Sequence, residues 1–131
     1  MSTLYPNAKQ GMLQGGMFNL LTDNIRCALI DSGAYTYADA HLYWSTIPGP
    51  AIVGTPTLLA NKSITNGVFD ADDVLYQSLT GPSIEAVILY KDTGVAGTSP
   101  LLAYLDGISI LPQGNDLVVV WDQGPYRIFS L

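Results

Sequence analysis

The chain has 131 residues, with five Lys+Arg against eleven Asp+Glu, a net charge of −6 and only 12% charged residues. A length of this order gives one domain, residues 1–131, able to bury about two-thirds of the surface that its unfolded chain exposes. The cations Lys9, Arg26, Lys62, Lys91 and Arg127 are scattered along the chain, which argues against direct nucleic-acid binding, because affinity for a phosphate backbone comes from grouped Lys and Arg releasing counterions.

A single cysteine, Cys27, excludes an intramolecular disulfide and makes no cysteine-based zinc site without ligands from elsewhere. No window approaches the ~18 uninterrupted apolar residues of a membrane span, and the N-terminal MSTLYPNAKQG lacks the basic-then-apolar order of a secretory signal. The expectation is a chain that stays in the cytosol where it is made, away from membranes. A monomer of this mass exposes on the order of 6,700 Å². Sixteen charges then leave roughly 400 Å² apiece, comparable to the largest apolar patch of a typical monomer. Such a surface suits docking onto other subunits.

In chain order, Pro6–Leu13 has a helical start, with Pro6 in the first turn and Leu4, Ala8 and Met12 spaced by four; Gly15-Gly16 ends it. Residues 1–23 thus read as an N-terminal helix or arm. Ile25, Cys27 and Leu29 alternate with Arg26, Ala28 and Ile30 as a strand that Asp31-Ser32-Gly33 closes. A short helix is expected next, capped by Thr36 with Asp39 answering three residues on, and stopped near Thr46 by Ile47-Pro48. Gly49, Pro50, Gly54 and Pro56 carry too many breakers for a regular element, and Thr57–Thr65 then reads as one strand. Asn66-Gly67 signals a tight hairpin, since both residues tolerate positive φ.

Val68-Phe69 and Val74–Leu79 read as short strands flanking the acidic DADD corner. Ile84–Tyr90 and Leu101–Leu105 read as two strands joined by a Thr/Gly/Ser/Pro loop. Leu117–Trp121 and Tyr126–Leu131 complete the set, with Asp122–Pro125 as the last turn. This amounts to about seven or eight strands with turn signals every eight to twelve residues and one or two short helices, a mainly β pattern that favours an antiparallel β-sandwich or jelly-roll-like barrel.

Catalytic or metal-binding constellations are not apparent. Asp70, Asp72 and Asp73 could supply hard-cation oxygens, but no Glu follows at the closing position of a calcium loop, and a turn fastened by aspartates is the commoner use. His41 is the only histidine and Glu85 the only glutamate; no G-x-S-x-G elbow or phosphate-cradling glycine loop occurs. Neither catalytic residues, cofactor nor metal is therefore expected. Tyr35, Tyr37, Tyr43 and Trp44 put four aromatics within ten residues of a non-core segment. They read equally as subunit-interface anchors and as a cap over one end of the core. Trp121, in a continuously apolar run, reads as buried between sheets.

Four collinear segments carry a further signal: NIRCALIDSGAYT (24–36), KSITNGVFDADDV (62–74), EAVILYKDTG with SPLLAYLD (85–106), and LPQGNDLVVVWDQGPYRIFSL (111–131). Together they resemble a family of small virion proteins encoded by tailed bacteriophages and prophages. The resemblance implies a non-enzymatic structural protein of the virion, made in the host bacterial cytoplasm. Its most concrete form is a head decoration or cement protein that binds the major capsid protein and forms a homo-oligomer, a dimer or trimer. A tail, baseplate or fibre-associated component is the alternative within phage biology; a carbohydrate-binding adsorption module, in which Tyr and Trp stack on sugar rings, is the alternative outside it.

Overall fold

A computed structural model describes residues 3–121 and 128–130. The elements are β1 (Thr3–Leu4), α1 (Pro6–Gln14), β2 (Ile25–Ile30), β3 (Ile52–Leu58), β4 (Ser63–Thr65), β5 (Val68–Asp70), β6 (Val74–Tyr76), β7 (Ile84–Lys91), β8 (Leu101–Ile110), β9 (Leu117–Val119) and β10 (Phe129–Ser130), with short 3-10 turns at Trp44–Thr46, Gly49–Ala51 and Ala96–Thr98. The fold is mainly β, as expected. A five-stranded antiparallel sheet, in the order β1-β8-β7-β2-β3, is accompanied by a three-stranded sheet β10-β5-β4 and a two-stranded ladder β6-β9.

The central strands are apolar without alternation. Every residue from Ala86 to Tyr90 in β7 is buried, as are Cys27–Ile30 in β2 and Leu101–Tyr104 in β8, so both faces of this sheet are covered. Strand alternation and register separate the faces. Leu29, Val87 and Leu105 lie in line on one face, against β9 and its flanks across a small cleft. Ala28, Ile88 and Tyr104 lie in line on the other, where the segment after β2 folds over Tyr104 with the rings of Tyr35 and Tyr37. The core thus runs on both sides of β2, β7 and β8, roofed by small sheets on one side and an aromatic loop on the other.

The N-terminal segment is a helix and not a free arm. Pro6 occupies its first turn, Gly15 ends it at φ 79° with its N–H bonded to the Gly11 carbonyl, and β1 adds to the edge of β8 at Thr3–Tyr104 and Leu4–Ala103. The Asn66-Gly67 hairpin forms with φ of 53° and 78° between β4 and β5.

Several expectations are corrected. No helix follows Thr36; only the 3-10 turn at Trp44–Thr46 is helical. The backbone of this segment bonds instead to the chain entering β8: Trp44 N–H donates to the Ser99 carbonyl at 2.8 Å, Leu101 N–H to the Leu42 carbonyl at 3.0 Å, and Tyr43 bridges Pro100. Asp39, expected to answer a cap, accepts from the Tyr37 hydroxyl at 2.6 Å. The breaker-rich stretch, in turn, does form a strand, β3. It lies at the sheet edge, where a proline costs no ladder bond, and the pairing with β2 shifts register between Cys27 and Leu29 so that Gly54–Pro56 bulges out. Thr57–Thr65 is broken by a turn with Asn61 at φ 51°. β8 runs five residues beyond Leu105, to Ile110. The expected turn at Asp122–Pro125 lies outside the described residues, and of the expected last strand only Phe129–Ser130 is described as strand.

Candidate functional site

The loop aromatics are drawn together by the face of the central sheet that they cover. Tyr35 is 4% exposed; its hydroxyl is bonded to the hydroxyl of fully buried Tyr5 at 2.8 Å and to Nδ1 of His41 at 2.7 Å. Tyr37 is half-buried, with its ring 5.0 Å from that of Tyr5 and 5.3 Å from that of Tyr104. Trp44 lies flat on Tyr90, ring centres 4.0 Å apart and planes 8° off parallel. Tyr43 is exposed. Of the four aromatics expected either as interface anchors or as a cap on the core, Tyr35, Tyr37 and Trp44 therefore serve as a roof on the core, and Tyr43, 37% exposed, is the most accessible of the four.

Burial sets the ionisation of this roof and of the core beneath it. Desolvation pushes the Tyr5 phenol far above its ordinary 10.0, reinforced by its bond to Tyr35. Desolvation likewise raises Tyr90, with help from the nearby Asp92 charge, and Tyr37, each to about 12. Cys27 is fully buried, and desolvation pushes its thiol up to about 12, which is the state of a packing residue and not of a nucleophile.

The carboxylates are used as fasteners. Asp92 accepts from Arg26 Nε at 2.5 Å and from Gly94 N–H at 2.8 Å, and the Arg26 bond holds its pKa below the usual carboxylate value. Glu85 takes the N–H and hydroxyl of Ser32 at 2.9 and 3.0 Å; the Ser83 hydroxyl, ahead of Ser32, lowers its pKa. Asp23 lies 3.5 Å from Lys91 Nζ, Asp31 caps Gly33 N–H, and Asp116 accepts from Ser78 N–H. At the DADD corner Asp72 accepts from Asn61 Nδ2 and Asp73 from Trp121 N–H, while the Trp121 indole donates to the Asp72 carbonyl at 3.0 Å. Trp121 is buried. Among the described residues no group of three or more His, Cys, Asp or Glu is gathered to hold a metal ion.

The exposed surface is sparsely charged: 6757 Å² is shared among sixteen charged side chains. Among the described residues twelve large apolar side chains are exposed, Leu13 the most at 89%. Five of them, Leu75, Ile108, Leu111, Val118 and Val120, lie in or directly next to the β6–β9 ladder and the far end of β8. In the ladder Leu75 is directly opposite Val118. Val74 and Tyr76 point inward and are buried, so the outward positions are Leu75, Val118 and, beyond the strand end, Val120. Sequence reading missed this face because LVVVW, apolar throughout, resembles a strand covered on both sides; only its pairing with the three-residue β6 reveals an uncovered face.

No protein-family model matches the chain, and no curated protein matches it at a significant level. Among the described residues no helix is long and apolar enough to cross a membrane.

Proposed function

We propose that this chain is a non-enzymatic structural protein of a tailed-bacteriophage virion, a head decoration or cement protein that binds the major capsid protein and associates with further copies of itself. The observation that carries the reading is the set of large apolar side chains held outward on a β framework, in a chain with few charges to keep such surface apart. Exposed apolar area of this kind is stabilised by docking. The resemblance of the four collinear segments to small virion proteins supports the same role, as does the use of His41 and of carboxylates such as Asp92, Glu85 and Asp73 as hydrogen-bonding groups within the fold.

The mechanism is mass action. A protein that binds only the assembled shell stabilises that shell by RT ln(1 + [L]/Kd) at each site, and a lattice repeats the gain many times over. Weak contacts thus sum to resistance against the pressure of packaged DNA. The test is a particle lineage in which this chain is deleted. Heads are expected to assemble and then lose DNA on mild heating, with retention restored by adding back the purified chain. Heat-stable full heads that fail only at infection would instead assign the chain to the tail.

A further inference from the structure

We propose that the outward face of the β6–β9 ladder, with the adjoining end of β8, is a docking surface for a protein partner whose contact is apolar at its centre and rimmed by lysine or arginine. The inference deepens the assembly reading above and rests on it for the partner's identity, while its chemistry comes from the face itself. A two-stranded ladder exposed to water ordinarily alternates apolar inside with polar outside. Here the outside is Leu75, Val118 and Val120, exposed by 48%, 49% and 62%. Ile108 joins them across a cleft of about 160 Å³ lined by both β8 and β9. Exposing this much contiguous apolar surface on so small an element has no counterpart in what packing the core requires.

Charge selects the occupant. Between Lys62 and Lys91, and from Asp92 to Trp121, the sequence has no Lys, Arg or His, and these two stretches supply the whole face. Its surroundings are acidic: Asp73 at the Trp121 N–H and Asp116 at the Ser78 N–H. Of the described cations, Arg26 lies on Asp92, Lys91 reaches Asp23 and the Met17 carbonyl, Lys62 donates to the Asp23 carbonyl, and Lys9 is on α1. All are away from this face. A second copy docking by the same face about a two-fold axis would set aspartate against aspartate with no described cation between them. A partner with a basic rim relieves that field and covers the apolar centre together.

The test is a titration of the isotopically labelled full chain with a short synthetic peptide of alternating valine and lysine, capped at both ends. Peptides alternating valine with glutamate, and serine with lysine, serve as controls. The valine–lysine peptide is expected to shift the amide resonances of Leu75, Val118 and Val120, to bind about tenfold more tightly than either control, and to weaken as salt is raised. A Leu75→Ser/Val118→Ser chain, its fold verified by an otherwise unchanged amide spectrum, should lose that preference. Equal binding of the serine–lysine peptide would reduce the effect to net charge and overturn the proposal, as would shifts confined to other surfaces or no shifts. Concentration-dependent dimerisation abolished by the same two substitutions would overturn it in favour of a second copy. No particle is involved, so absence of the chain from virions would remove the assembly reading and leave this result standing.

Discussion

Tyr35 holds two roles that its position in a loop conceals: it closes the core over Tyr104, and it is the hydrogen-bond partner of the fully buried Tyr5 hydroxyl. Tyr35→Phe leaves that hydroxyl without its partner, and stability should fall by about 1–3 kcal/mol in denaturant unfolding. His41→Ala should cost less, since Tyr35 then keeps Tyr5 as a partner and the imidazole is half-exposed. Neighbouring aromatics divide in the same way. Tyr43→Ala, at a side chain 37% exposed, should cost the isolated chain less than Trp44→Ala, which removes the ring stacked on Tyr90, and should weaken association as well. Cys27, fully buried with its thiol pushed up to about 12, should react with a thiol reagent only at the rate of unfolding; rapid labelling of the folded chain would place it outside the core.

At the scale of elements, β3 depends on Gly54. Its φ is 72°, and a Cβ there would stand 2.8 Å from Leu79 Cδ1, so Gly54→Ala meets both backbone strain and a clash. A loss of about 1–3 kcal/mol is expected from denaturant melts, with the bulge between β2 and β3 disturbed first. The same bulge explains what the sequence concealed. Gly54 and Pro56 are breakers by local rule, and they become a strand because an edge tolerates both. β2, β7 and the Asn66-Gly67 hairpin were legible because local preference and tertiary setting agree there: β-branched and apolar runs lie in the buried middle of the sheet, and two residues tolerant of positive φ lie at a tight turn. The helix expected after Thr36 failed for the opposite reason. Its capping pattern is local, but the chain entering β8 offers hydrogen bonds to residues 42–44 that no local pattern records. The outward face of β6–β9 was illegible because exposure there is decided by which strand pairs with which, not by composition.

Across the whole molecule, buried phenols and fastened carboxylates bound the pH range of the fold. Tyr5, Tyr76, Tyr90 and Tyr37 all have pKa values raised above the ordinary 10.0, chiefly by burial. The folded state holds these protons more tightly than the unfolded one, so their contribution is intact below pH 10 and is lost as pH rises beyond it. Phenolate absorbance should therefore appear in a cooperative step together with loss of tertiary circular dichroism; reversible titration of every tyrosine near 10 with the fold intact would contradict the buried roof. Asp92 and Glu85 act at the other end. Their pKa values are lowered from 3.8 and 4.5, so their contribution is present above those values and fades as pH falls below them, a modest loss because both groups are only partly buried and remain screened by solvent. Asp92→Asn should flatten that acid limb. Between these limits the molecule is a β scaffold with apolar side chains facing outward, a surface that suits the proposed addition to a lattice. The proposed decoration role is tested most directly by absolute quantification, by mass spectrometry with isotope-labelled standards, of this chain and the major capsid protein in tailed-phage virions purified from a lysate of cells that carry its gene. The decoration reading predicts a ratio near unity or a simple fraction of it; a few copies per particle, or none, would contradict it.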